Sequence, residues 1–170
     1  MTVPRQPGKS SRRSFAAVCA AALLLLGGIA APGLSRAAGS EPIVEVNGHT
    51  GLAISGFDPV AYFADATPKA GRPDLELQLD GSIWRFRNEG NRAAFAQHPD
   101  VYMPRFGGYD PVAIARGTSV AGHPLYWAIT GERLYLFYSE KERGDFLADP
   151  GRIIERATRK WPEVARTVAR

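Results

Sequence analysis

The sequence GFDPVA at residues 56–61 recurs with one change as GYDPVA at residues 108–113. Each copy is followed, at similar spacing, by an alternating apolar segment, an aromatic segment and the pattern Phe-x-x-x-Pro. Agreement of order, residue type and spacing over about 50 residues is typical of an internal duplication. The sequence therefore predicts two repeated units, at about residues 56–104 and 108–155.

Each unit is predicted to form a β-hairpin followed by a helix. In the first unit, Leu alternates with polar residues over 75–79, which is the period of a half-buried strand. An Asp-Gly pair at 80–81 suits a tight turn, and the large residues of 83–86 form the returning strand. A helix then begins at the N-cap Asn88 and ends before Pro99.

The second unit repeats this order with a turn that is predicted to be longer. Thr-Gly-Glu at 130–132 replaces Asp-Gly, because the offset between the units is 50 before the turn and 51 after it. Ser139 is the predicted N-cap of the second helix, with Glu142 completing a capping box. The strand residues matched at an offset of 50 are Leu75 with Leu125, Leu77 with Trp127, and Leu79 with Ile129.

The predicted fold class is α+β, with two hairpin–helix units around a shared core and a C-terminal helix. A single two-stranded hairpin is marginally stable, so we expect the units to pack against each other. The last helix is predicted from about residue 151 to Trp161, with Ile154, Ala157 and Trp161 on one face. Pro162 is expected to end it, which leaves residues 163–170 as a frayed tail.

Residues 1–37 are predicted to be an export signal peptide. A basic segment precedes an apolar run at 15–31, and small residues precede the predicted cleavage after Ala37. The paired Arg12 and Arg13 resemble a twin-arginine signal, and an ordinary Sec signal is the alternative. A retained anchor is disfavoured because the run is shorter than the about 20 residues that a bilayer needs.

The mature protein is therefore predicted to be periplasmic or secreted, without a stable membrane anchor. Residues 38–50 form a lead-in to a domain at 51–162. The signal contains five of the 21 basic residues and none of the 17 acidic ones, so the rest carries a net charge of −1. This charge disfavours nucleic-acid binding. The single cysteine, Cys19, lies in the signal, which excludes disulfides and thiolate metal sites from the mature chain.

The two aspartates of the DPVA segments allow two interpretations. Asp58 and Asp110 look like a matched carboxylate pair, yet Asp followed by Pro is also a common helix start, and capping is the favoured reading. Any ligand pocket is expected between the units, where Tyr62 and Tyr109 lie beside these turns. The candidate ligand-binding residues are Asp58, Tyr62, Tyr109 and Asp110.

Further short motifs follow the two DPVA segments in a characteristic order. They are Asp58-Pro59-Val60, Trp84-x-Phe86, Asn91-Arg92, Phe95, Pro99, Tyr102, Gly107-Gly108-Tyr109, Leu134-Tyr135-Leu136 and Trp161-Pro162. Together they resemble the YHS domain of exported bacterial proteins, over about residues 47–162. The resemblance implies an α+β fold and, in members that accompany heavy-metal transport proteins, metal binding through cysteines.

This sequence departs from that metal-binding pattern at every cysteine. The positions of the three cysteines are occupied by Ala61, Arg87 and Asn91, and Asp110 stands where the exported branch often has a fourth. The implied fold therefore carries over, while the implied thiolate site does not.

The remaining candidate metal ligands are His49, His98 and His123. None has a partner at i+2 to i+4, so a site requires that they converge in space, where they would suit copper, zinc or nickel. The predicted function is a periplasmic small-ligand or metal-ion (copper, for example) binding or accessory module, with another envelope protein as an alternative partner. The other hypotheses are a ligand-free interaction module and a hydrolase with a His–Asp pair.

Overall fold

Two antiparallel hairpins, six α-helices and two short 3-10 helices (Ile54–Gly56 and Arg105–Gly108) lie within residues 44–46 and 48–168, the part of the chain described by this computed structural model. The predicted signal peptide at 1–37, with Cys19, and residues 38–43 lie outside the described residues. None of the helices in this part combines the length and apolar character needed to cross a membrane. The elements are α1 (Ala61–Ala64), β1 (Arg72–Leu79), β2 (Ser82–Phe86), α2 (Glu89–Gln97), α3 (Pro99–Tyr102), α4 (Pro111–Ala115), β3 (His123–Thr130), β4 (Arg133–Phe137), α5 (Glu140–Ala148) and α6 (Pro150–Val168).

Both hairpins close with a two-residue turn. Leu79 pairs with Ser82 around residues 80–81, and Thr130 pairs with Arg133 around residues 131–132. All four turn residues have positive φ, between 51° and 75°, as a type I′ turn requires. The prediction of a longer second turn was wrong, because Thr130 belongs to the strand.

This turn geometry also corrects the strand alignment. Strands β1 and β3 correspond at an offset of 51, so Leu77 matches Ala128. Their strand partners, Trp84 and Tyr135, are also 51 residues apart. Successive strand residues point to opposite faces, so an error of one residue exchanges the faces. Leu125 and Ile129, which the sequence matched to Leu75 and Leu79 of the half-buried first strand, are accordingly 55% and 37% exposed.

The buried apolar residues form two clusters where the sequence predicted one shared core. The first is built on Trp84, Phe86 and Phe95 of the first hairpin and α2. It also contains Leu134 and Leu136 from β4. The second hairpin therefore lies between the clusters and covers one face of the first.

The second cluster repeats the ring arrangement of the first. Tyr135 and Phe137 on β4 pack on Phe146 of α5, and α6 contributes Ala157 and Val164. Ring centroids are 5.1 Å apart for Tyr135–Phe146 and 4.8 Å for the corresponding Trp84–Phe95, both at 39°. Because β4 contributes side chains to both clusters, its residues from Leu134 to Phe137 are all buried.

Helix α6 extends beyond the predicted end. Pro162 lies inside the helix, and the helix continues to Val168, so the predicted tail at 163–170 is helical as far as it is described. A proline removes one helical hydrogen bond. Burial of Val164 in the second cluster offsets that loss. The predicted apolar face is confirmed, with Ala157 buried and Ile154 and Trp161 packed beside it.

Two glycines allow the strand to pass close to its partner before each hairpin. Gly71 donates its N–H to the carbonyl of Gly56, and Gly122 donates to Gly108, both at 2.9 Å. A Cβ atom at these positions would lie 2.4 Å from Cβ of Arg85 and 2.5 Å from Cβ of Leu136. The backbone there has no room for a side chain.

We expect Gly71→Ala and Gly122→Ala each to lower the free energy of unfolding by about 3 kcal/mol, because the methyl group overlaps fixed strand atoms. Urea denaturation measures the effect. Gly144→Ala in α5 is the matched control, since its Cβ meets nothing within 4 Å. That helical substitution should stabilise the protein by about 0.5–1 kcal/mol. Equal effects of all three changes would contradict this interpretation.

Candidate functional site

The carboxylate of Asp58 joins the first DPVA turn to the hairpin and helix that follow it. The side chain is fully buried. Its Oδ1 accepts from the N–H groups of Val60 at 2.8 Å and Ala61 at 3.3 Å. Its Oδ2 accepts from the N–H of Arg87 at 2.9 Å and from Nδ2 of Asn91 at 2.7 Å. The predicted capping role is thus only half of what this aspartate does.

Asp110 makes the corresponding contacts in the second unit. It is also fully buried. Its Oδ1 accepts from the N–H groups of Val112 at 2.7 Å and Ala113 at 3.4 Å. Its Oδ2 accepts from the N–H of Tyr138 at 2.9 Å. Neither aspartate has a histidine among these donors, so the His–Asp hydrolase hypothesis has no geometric support here.

The two carboxylates differ in the side chain that faces them. Where Asn91 donates a hydrogen bond to Asp58, the second unit has Glu142 near Asp110. Burial raises the pKa of the Asp110 carboxyl, and Glu142 adds to the rise against three backbone hydrogen bonds. The hydroxyl of Ser139 donates to Glu142 and lowers the pKa of Glu142. A small cavity of about 120 Å³ lies beside Asp110 and Glu142.

The two tyrosines of the predicted ligand site, Tyr62 and Tyr109, have different surroundings. Tyr62 is 1% exposed, and its hydroxyl donates to the carbonyl of Pro124 at 2.9 Å. Burial raises the pKa of that hydroxyl. Tyr109 is half-buried and packs on Trp161, with ring centroids 6.0 Å apart. Tyr62 is therefore a core residue that ties α1 to β3, and its ring is not accessible to a ligand.

The predicted metal ligands are not assembled. His49 lies in an exposed turn, His98 is exposed between α2 and α3, and His123 begins β3. Nδ1 of His123 accepts from the N–H of Leu125 at 3.2 Å. Over residues 44–46 and 48–168, no group of three or more His, Cys, Asp or Glu side chains is arranged to hold a metal ion. The three candidate histidines therefore do not form a common metal site within the described residues.

One cavity is lined in part by Trp161, and we call it the Trp161 cavity. It has a volume of about 450 Å³, within the range of small-molecule sites. It lies where the turn of the first hairpin, α3, the segment before α4 and α6 come together. Its lining residues are Val44, Asp80, Pro99, Asp100, Met103, Pro104, Arg105, Phe106, Gly107, Thr158 and Trp161.

One side of this cavity is aromatic, and charged residues lie along its edge. Phe106 and Trp161 meet edge to face, with centroids 5.7 Å apart. The guanidinium carbon of Arg105 lies 5.6 Å from the centre of the Phe106 ring. On another side Asp100 is held in place, because Nη1 of Arg133 donates to its carbonyl at 2.6 Å.

The backbone of the aromatic wall adopts the left-handed conformation at two consecutive residues. Phe106 has φ of 55° and Gly107 has φ of 63°. A non-glycine residue with positive φ costs free energy, and such residues cluster at binding and active sites. The lead-in segment braces this turn, because the N–H of Glu45 donates to the carbonyl of Gly107 at 2.7 Å. Val44 from the same segment completes the wall.

No family model, curated protein or solved structure matches this chain. The geometry of the chain itself therefore carries the functional inference. The sequence predicted any pocket between the units, beside Tyr62 and Tyr109, and neither residue lines the Trp161 cavity. Met103, Arg105, Phe106 and Thr158 were not predicted, since no motif marks the segment 103–106 and only the fold brings Thr158 to it. Trp161, found as part of an apolar helix face, was the one available signal.

We expect Asn91→Asp to lower the free energy of unfolding by about 2 kcal/mol at neutral pH, because it replaces the donor to buried Asp58 with a second carboxylate. Urea denaturation across pH measures this effect. A proton shared by the two carboxyl groups restores the hydrogen bond, so the loss should shrink as the pH falls toward the ordinary pKa of a carboxyl group.

Asn88→Asp is the matched control for this substitution. It makes the same chemical change in the same helix, but Asn88 only accepts from the N–H of Asn91. Aspartate serves equally well as an N-cap, so stability should stay within about 0.5 kcal/mol of the wild type. A pH-independent loss for Asn91→Asp, or an equal loss for Asn88→Asp, would contradict the role assigned to Asn91.

Proposed function

We propose that this protein is an exported small-ligand-binding module whose ligand occupies the Trp161 cavity. The ligand class is a compact molecule with a flat apolar ring and polar groups at its edge. The single observation that carries this proposal is the aromatic wall of Phe106 and Trp161 in a cavity of about 450 Å³. Apolar walls with a few polar groups are the usual make-up of a small-molecule site.

The edge of the cavity supports a ligand with hydrogen-bonding substituents. Arg105 provides donors, Asp80 and Asp100 provide acceptors, and Thr158 adds a hydroxyl. The strained backbone at Phe106 supports the same function, because it holds one wall in place before the ligand arrives.

We also propose that the domain arose from a duplicated YHS-like unit. The matched environments of Asp58 and Asp110 support this origin. The matched rings of Trp84–Phe95 and Tyr135–Phe146 support it as well. In this interpretation the copies have diverged, since only the cluster of the second copy contains buried residues of α6.

We expect Thr158→Trp to weaken binding of the fluorescent probe anilinonaphthalene sulfonate at least about tenfold. Thr158 is exposed at the cavity, so a large ring there fills the space without disturbing either cluster. The probe has a flat apolar ring system and a polar group, and its fluorescence rises on transfer to an apolar site. A fluorescence titration of the folded protein gives its dissociation constant.

Lys160→Trp is the matched control, since it adds the same ring to an exposed position of α6 outside the cavity. We expect its affinity for the probe to equal that of the wild type. Equal affinity of the wild type and Thr158→Trp, or an equal loss in both variants, would overturn the assignment of the ligand to this cavity.

Export itself is proposed from the signal sequence, with the twin-arginine route favoured by Arg12 and Arg13. Changing both residues to lysine keeps the charge and removes the paired arginines. We expect this double variant to remain in the cytoplasm of a bacterial host, whereas the wild type is recovered from the periplasm. Unchanged export of the double variant would instead identify an ordinary Sec signal.

A further inference from the structure

A second cavity lies between helices α4, α5 and α6. Its volume is about 370 Å³. Apolar side chains from α4 and α6 form its floor, and arginines from the same two helices stand at its rim. The residues that matter are Val112, Ala115 and Ile153 on the floor and Arg116, Arg152 and Arg156 at the rim.

Two of these arginines are uncompensated cations. Arg152 and Arg156 lie one turn apart on α6, a spacing at which like charges repel. Neither guanidinium forms an ion pair or hydrogen bond with any residue in the described part of the chain. On the same helix, Arg159 pairs with Glu155. The charges of Arg152 and Arg156 are therefore not neutralised by a direct ion pair within the described residues.

The acidic residues at this cavity are already engaged. Asp145 accepts from Nζ of Lys141 at 2.7 Å and lies 3.7 Å from a guanidinium nitrogen of Arg116. Asp149 accepts from the backbone N–H of Arg152 at 3.2 Å and so caps α6. These contacts leave the side chains of Arg152 and Arg156 available to an anion from outside.

We propose that this cavity binds the phosphate group of a small phosphorylated ligand, with Arg152 and Arg156 as its guanidinium donors. Arginine matches phosphate in shape and charge and binds it through paired hydrogen bonds. The two guanidinium groups exceed the carboxylate of Asp149 in charge, and they suit a phosphate monoester, whose charge near neutral pH is about −1.5 to −2.

The apolar floor indicates that the phosphate carries an organic group. Val112, Ala115 and Ile153 provide a surface that inorganic phosphate alone leaves uncovered. A soluble phosphate ester and the headgroup of a lipid such as phosphatidic acid share this chemistry. The experiment has to distinguish these two sources.

Isothermal titration with phenyl phosphate tests the soluble source. We expect Arg152→Gln and Arg156→Gln each to weaken binding about tenfold, because each removes a charge-assisted contact. Arg159→Gln is the control, since it removes an exposed arginine of the same helix that is not at the cavity. Melting temperatures of the variants verify that these exposed positions leave the fold intact.

Co-sedimentation with phosphatidylcholine vesicles that contain phosphatidic acid tests the lipid source. Sedimentation that is lost in the double variant Arg152→Gln/Arg156→Gln and kept in Arg159→Gln supports a lipid headgroup. Binding of phenyl phosphate without sedimentation supports a soluble ester. If the wild type binds neither probe, or if the double variant and Arg159→Gln weaken binding equally, the proposed site is wrong.

Discussion

The rest of this structure depends on one buried carboxylate in each unit. Asp58 and Asp110 each use one oxygen to cap the DPVA turn and the other to hold the backbone just after a hairpin. A buried carboxylate is costly without donors, so the turn, the hairpin and the following helix must form together. These hydrogen bonds tie each DPVA turn to the backbone that follows a hairpin.

The second hairpin determines how these blocks are arranged. It is covered on both faces, since Leu134 and Leu136 enter the first cluster while Tyr135 and Phe137 enter the second. Strict alternation along a strand makes this division possible. Stacking in this manner leaves a seam between the turn of the first hairpin and α6. The Trp161 cavity lies in that seam.

Local features of the fold could be read from the sequence, and pairings over longer distances could not. The caps at Asn88 and Ser139 were predicted because a cap depends on residues within one turn. The strand alignment failed because Leu125, Trp127 and Ile129 matched the apolar pattern one residue out of register. In β3 large apolar residues also occupy exposed positions, Leu125 and Ile129, so the apolar pattern does not mark the buried face.

Sequence alone determined the order of the elements, the two carboxylate-centred turns, the caps and the absence of thiol chemistry from the region after residue 37. Tertiary structure decided which side chains meet. It extended α6 past Pro162 because Val164 is buried, it separated the histidines, and it formed the Trp161 cavity from distant segments. The physical reason is the separation along the chain of the residues that interact. Hydrogen bonds within a turn depend on neighbouring residues, whereas a cavity depends on how whole elements pack.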